Sequence, residues 1–197
     1  MPKALGRPRD SSSKKSILRA ALSVLKTRAY SDFSIEEVAR RAGAGKSTIY
    51  RWWHTRAELA VEAVFDATLS ALVFEDTGIV AEDFRRQLKK LAAILRGSRG
   101  VVLAALITGS QHDGELRRAI GERWVKPRRE WGVQKLRQAQ ATGEALPTLD
   151  SAAALDALYC PFYAHLFLGL PAHSDAEVDR LCDLLFPQMF REVRGSA

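Results

Sequence analysis

The sequence predicts an all-α chain, an N-terminal three-helix unit of helix-turn-helix form followed by a larger helical C-terminal domain. Three observations carry that prediction. Along the 197 residues, apolar side chains recur at helical spacing, and no segment alternates convincingly as a strand does. Ser/Thr-x-x-Glu boxes open three of the helical runs, at Ser34–Glu37, Thr55–Glu58 and Ser174–Glu177. The charge is divided unevenly: residues 1–60 hold 13 Lys/Arg and 5 Asp/Glu, a balance of +8, whereas residues 61–197 carry −1. The whole formal charge of +7 therefore lies on the front third.

The elements follow in order. Residues 1–11, with Lys3, Arg7, Pro8 and Arg9 and no apolar period, read as a basic arm, either an unstructured tail or a minor-groove contact. A first helix runs from Ser12 or Ser13 to Ala29, with Ile17, Leu18, Ala21, Leu22 and Leu25 on one side. Ile35, Val38, Ala39 and Ala42 then mark an amphipathic helix that begins at Ser34 and ends at Gly43. A second short helix is expected from Lys46 to Trp53, and a long one from Thr55 through Val73. Further helices are expected at 81–96, 100–112, 115–141, 150–170 and 174–193, with Gly143, Pro147 and Pro171 as breakers. The resulting division is an arm at 1–11, a first domain at 12–71 with its motif at 33–52, and a second domain at 72–197.

Gly45-Lys46-Ser47 superficially suggests a phosphate-binding loop. That motif needs a glycine at the position of Arg40 and a buried strand leading in, and the sequence has an amphipathic helix there instead. On a helical wheel of 100° per residue, Ile49 and Trp53 share the inward face. Ser47 and Arg51 point away, Thr48 and Tyr50 lie on the shoulders, and Lys46 is the leading tip. Such an outer face, small and rich in hydrogen-bonding groups, suits base edges and phosphates in a DNA groove. Localised basic charge supports the same partner through counterion release.

The stretch SIEEVARRAGAGKSTIYRWWHTRAEL, Ser34 to Leu59, closely resembles the DNA-binding domain of the tetracycline-repressor (TetR) family. The resemblance spans roughly residues 12–71. It implies an all-helical homodimer that binds double-stranded operator DNA and is released by a small molecule held in the C-terminal domain. Carried over by position, Lys46, Ser47 and Tyr50 approach bases, and Thr48, Trp52 and Arg56 hold phosphates, with Arg51 on the same outer face. The sequence departs from the family in two places. Gly45 stands where a capping serine is common, and Trp53 where phenylalanine is common.

In the C-terminal part, Leu155, Leu158, Phe162 and Leu166, with Val178, Leu181, Leu185 and Phe186, form stripes on the last two helices. They could build a four-helix dimer interface or ordinary intrachain core. Candidate lining residues for an effector pocket are Trp124, Trp131, Tyr159, Phe162, Tyr163 and His165, with Phe167 further along, and Leu103, Ile107 and Gln111 opposite. Such a pocket would take a small apolar or amphipathic effector. The charged segment 122–137 identifies no ligand.

Cys160 and Cys182 read as buried thiols, and the absence of CxxC or His-rich spacing leaves no metal or other cofactor expected. His54, His112, His165 and His173 form no arrangement suited to an enzyme. No signal peptide and no apolar run of about 18 residues is found, so no membrane partner is expected and the cytoplasm is the expected compartment. The leading function is a ligand-released repressor. The alternative is a DNA-binding protein whose C-terminal domain only dimerises or binds a protein partner.

Overall fold

The computed structural model describes residues 9–69 and 75–191. The arm up to Pro8, the expected boundary at 71/72, the expected helix end at Val73 and residues 192–193 lie outside them. Ten α-helices follow in order among the described residues: α1 Arg9–Thr27, α2 Ile35–Ala42, α3 Lys46–Tyr50, α4 Arg56–Leu69, α5 Val80–Arg96, α6 Ser98–Gly109, α7 Gly114–Ile120, α8 Lys126–Thr142, α9 Ser151–Leu168 and α10 Asp175–Leu185. A π-helical turn, Gly121–Val125, joins α7 to α8. The one extended pairing among these residues is an isolated antiparallel bridge between Ala145 and Phe190.

Local chemistry sets the helix ends. Gly43 closes α2 at φ +61°, a left-handed conformation that glycine adopts without a Cβ penalty, and Ala44 N–H donates to Ala39 O at 3.0 Å. The three capping boxes differ. Ser174 and Glu177 form the full reciprocal pair. Ser34 accepts from Glu37 N–H at 3.3 Å, but the Glu37 carboxylate turns to Arg40 and Arg41, so the expected return bond is missing. Those two guanidiniums hold Glu37 down at a pKa of about 2. At the third box, Thr55 caps Glu58 N–H, whereas Glu58 accepts from His54 N–H one residue earlier than expected.

The core is continuous. On α1, Ile17, Ala21 and Val24 are fully buried and face α2 and α4. Helix α4 buries Ala57, Leu59, Ala60, Val61, Ala63, Val64 and Phe65, which covers nearly its whole circumference. It packs on α1 and also on α6, α7 and the π-turn. The stripes of α9 and α10 resolve as intrachain core: Leu155, Leu158, Phe162, Val178 and Phe186 are buried, and Leu166, Leu181 and Leu185 are half-buried against them. Helix α9 turns a different apolar line outward: Ala153, Ala157, Cys160, Ala164, Phe167 and Leu168. Cys160 is thus exposed, contrary to the expectation of two buried thiols. Cys182 is fully buried, and burial pushes its thiol up to about 11.

Asp83, almost completely buried, accepts from Thr77 N–H and Oγ1 and pairs with Lys135 Nζ at 2.8 Å. Burial pushes its carboxyl up, but the Lys135 and Thr77 bonds outweigh this and hold it below its ordinary value. It ties α5 to α8, while Arg85 binds Asp179 and Asp183 on α10 at 2.9 and 2.7 Å. Helices α5 and α6 meet at 83°. That corner requires Gly100, where an added Cβ would come within 1.9 Å of Leu95 O. The obstacle is backbone and cannot rotate away. Gly100→Ala is expected to lower unfolding stability by about 1–3 kcal/mol or more. Urea titration of variant and parent measures the loss, and equal midpoints would remove the steric argument.

Candidate nucleic-acid interface and cavity

The short helix α3 is positioned by two side chains. Ile49 and Trp53 are fully buried, and burying groups of this size contributes roughly 1.5–3 kcal/mol each. Trp53 also donates its indole N–H to Glu62 Oε2 at 2.8 Å, so the larger plug is bonded to α4 as well as packed. The other face is outward as the wheel predicted: Lys46, Ser47, Tyr50 and Arg51 are exposed, and Thr48 is half-buried. Gly45 makes no side-chain cap, and its carbonyl instead accepts from Thr48 N–H at 3.0 Å.

Two expected phosphate ligands are arranged differently. Arg56 donates to Ser31 O and Phe33 O at 3.3 and 3.2 Å, lies 4.9 Å from the Tyr30 ring centroid and pairs with Asp113 at 3.5 Å. It clips α4 to the loop before α2 and to the start of α7, so the free guanidinium that a phosphate would need is already engaged. Trp52 is half-buried under Lys14, and its indole N–H is enclosed with no hydrogen-bond partner among the described residues. Sequence position alone could not show either rotation.

Lys46 is exposed but pairs with Glu36 Oε1 at 2.5 Å, a bond that also holds the Glu36 carboxyl below its ordinary value. Glu36 thus engages the cation that the sequence resemblance directs at DNA. Glu36→Gln should therefore raise DNA affinity up to about five-fold, and steepen the salt dependence by roughly one counterion. Binding titrations over a salt series test this. Weaker binding would mean that Glu36 positions Lys46 rather than competing with DNA for it.

Behind the outward face, α4 is held from the C-terminal side. Arg123, on the π-turn, reaches Glu58 at 2.9 Å and Glu62 at 3.2 Å. Glu62 also pairs with Lys14 of α1 at 2.7 Å. The next residue, Trp124, is buried and stacks on Phe65 of α4 with centroids 3.5 Å apart and planes at 17°. The π-turn has a local cause. Pro127 has no N–H to offer a carbonyl in the preceding turn, and its ring crowds the carbonyl four residues back. The helix widens there, with Lys126 N–H donating to Gly121 O, five residues back.

Trp124 also lines a cavity of about 690 Å³, walled mainly by apolar atoms. Of the expected residues, Leu103, Ile107, Trp124, Trp131, Tyr159 and Tyr163 line it. Gln111, Phe162 and His165 do not: Gln111 is exposed, Phe162 is packed in the core, and His165 bonds Pro171 O and stacks on His173. Phe167 is exposed at the end of α9. The cavity's polar members Gln87, Ser110, Arg128, Arg129 and Asp156 are not among the residues the sequence pattern picks out. Tyr159 donates to Gln87 Oε1, and Trp124 donates to the Tyr163 hydroxyl at 3.3 Å. Burial raises both phenols above their ordinary range.

Residues 17–63 match the family described as bacterial regulatory proteins, tetR family, and residues 74–185 match the tetracyclin repressor-like C-terminal domain. The chain is 30% identical over 173 residues to the HTH-type transcriptional regulator YdeS of Bacillus subtilis, covering 88% of this chain and 87% of that one. It is 32% identical over 169 residues to the DNA-binding transcriptional repressor TetR of Mycobacteroides abscessus, covering 85% and 88%. Among solved structures, the TetR family transcription regulator SCO0332 superposes with a TM-score of 0.77 at 30% identity, covering 90% of this chain and 98% of that one.

Proposed function

Because the chain belongs to the tetR family of bacterial regulatory proteins and is a DNA-binding transcriptional regulator, we propose that it is a cytoplasmic homodimeric repressor, released from a palindromic operator by a small molecule. In this reading Lys46, Ser47 and Tyr50 meet base edges, and Thr48 and Arg51 meet phosphates. Trp52 and Arg56 brace the reading helix from the chain side. They reach phosphate only if DNA draws them out of their present contacts.

One observation carries the small-molecule part. Trp124 lines the cavity and stacks on Phe65 of α4, beside the Arg123 grip on Glu58 and Glu62. Cavity contents and reading helix therefore act on the same element, α4. A cavity in the usual range for small ligands also favours an effector over a C-terminal half that serves only to dimerise. Selection of bound duplexes from a random pool tests the whole reading. It should return an inverted repeat, and Tyr50→Ala should weaken binding to that repeat by about 1–3 kcal/mol with the helical signal unchanged. A pool without preference, or an unfolded variant, would count against the face assigned here.

The dimer is assigned to the outward line of α9. Ala153, Ala157, Cys160, Ala164 and Phe167 recur at alternating spacings of four and three residues, and small side chains there allow two helices to approach closely. Leu184 on α10 is 70% exposed. Replacing Ala164 with glutamate should convert the dimer to a monomer in light scattering after gel filtration, and operator binding should fall with it. An intact dimer would move the interface elsewhere.

A further inference from the structure

The cavity is mostly apolar, yet one of the two cations lining it, Arg128, has no counter-ion among the described residues. Arg128, in the first turn of α8, lies with its guanidinium 3.7 Å from the centroid of the Trp124 ring. Its Nη1 is enclosed and has no hydrogen-bond partner among the described residues, and no carboxylate there pairs with it. Leaving a buried donor unpaired is costly, and more so for a charged one. The neighbouring Arg129 does not share this state, because it is bound to Asp156. The site thus offers a single uncompensated positive charge.

Geometry narrows what would neutralise it. A guanidinium is planar and holds its N–H donors in a fixed fork, which meets the two oxygens of a carboxylate side by side, and the indole beside it offers no acceptor in competition. The Tyr163 hydroxyl already accepts from Trp124 Nε1 and keeps its own proton to donate. Beyond this polar end the walls are Leu103, Ile107, Ile120, Leu155 and Trp131. Burial lowers the pKa of Arg128 from its usual value, and the nearby Tyr163 and Tyr159 offset part of that shift. An entering anion would relieve this cost.

Resting on the reading that this cavity takes the effector, we propose that the effector is an amphipathic monocarboxylate, its head held by Arg128 with Tyr163 and its apolar body along the aliphatic wall. A single charge favours a carboxylate over a phosphate dianion. The arrangement also supplies a transmission step, because a carboxylate bound in the guanidinium plane acts on the same Arg128–Trp124–Phe65 stack that supports α4.

The test uses the full-length protein and three probes of equal chain length: decanoate, methyl decanoate and decylamine. Calorimetry should show decanoate binding roughly 10- to 100-fold more tightly than the ester, with the amine weakest. Arg128→Met should abolish this preference, bringing decanoate down to the ester's level, while ester binding stays as in the parent. Melting of the unliganded variant separates a recognition role from a structural one. The variant should melt no lower than the parent, since it loses a half-buried guanidinium with an enclosed, unpaired Nη1, and decanoate should raise the melting temperature of the parent only. Equal binding of acid and ester would overturn the head-group assignment and leave the effector cavity standing. A variant that melts far below the parent would make Arg128 structural and overturn it too. Failure of all three probes to bind would overturn both this proposal and the cavity reading beneath it.

Discussion

The grip of Arg123 on Glu58 and Glu62 is the polar contact that ties the π-turn to α4, beside the Arg56–Asp113 pair and the Trp124–Phe65 stack. Both carboxylates do a second job on the DNA-binding side. Glu58 accepts the backbone N–H of His54, and Glu62 accepts the Trp53 indole and pairs with Lys14. Trp53 in turn is one of the two residues that seat α3. A displacement of the π-turn is therefore felt at the reading helix through two bonded steps. The aromatic stack of Trp124 on Phe65 runs parallel to this polar route and is buried where the ion pairs are not.

Periodicity carried much of the fold. The faces of α3 follow from a wheel because Trp53, beyond the helix end at Tyr50, still donates its backbone N–H to Ile49 O at 3.0 Å and keeps the helical phase. Across the π-turn the same method loses accuracy. A single wheel drawn over residues 115–141 assumes constant phase, and the widened turn at Gly121–Val125 breaks it. Pro127 was the available signal, since a proline within a helical pattern implies a local rearrangement. The charged segment 122–137 identifies no ligand by its pattern, and Arg128, which lines the cavity, is invisible within it.

Among the cavity residues, those found in sequence were large and aromatic or aliphatic, types that line apolar sites. Those misplaced, Phe162, Gln111 and His165, lie on the same helices or at their ends, a fraction of a turn from the lining face. A rotation of that size depends on how neighbouring helices pack, which no single-helix pattern contains. Trp52 and Arg56 illustrate the same limit at the DNA-binding face. Their residue types suit phosphate, but their side chains have nearer partners in the chain itself.

The energetics of these contacts suit a switch. Partly exposed ion pairs such as those of Arg123 contribute about 0–1 kcal/mol each, and an aromatic stack about 0.5–1.5 kcal/mol beyond its burial. Together they span the 1–3 kcal/mol typical of coupling between sites. A connection made of one deeply buried ion-pair network would bind the halves too tightly for a small molecule to shift. One made only of surface charges would transmit little and fade with salt. Here the uncompensated cost sits at the cavity, in Arg128, and the adjustable contacts lie between it and α4. In the proposed function, a bound effector would then spend its free energy on moving the helix rather than on breaking the fold.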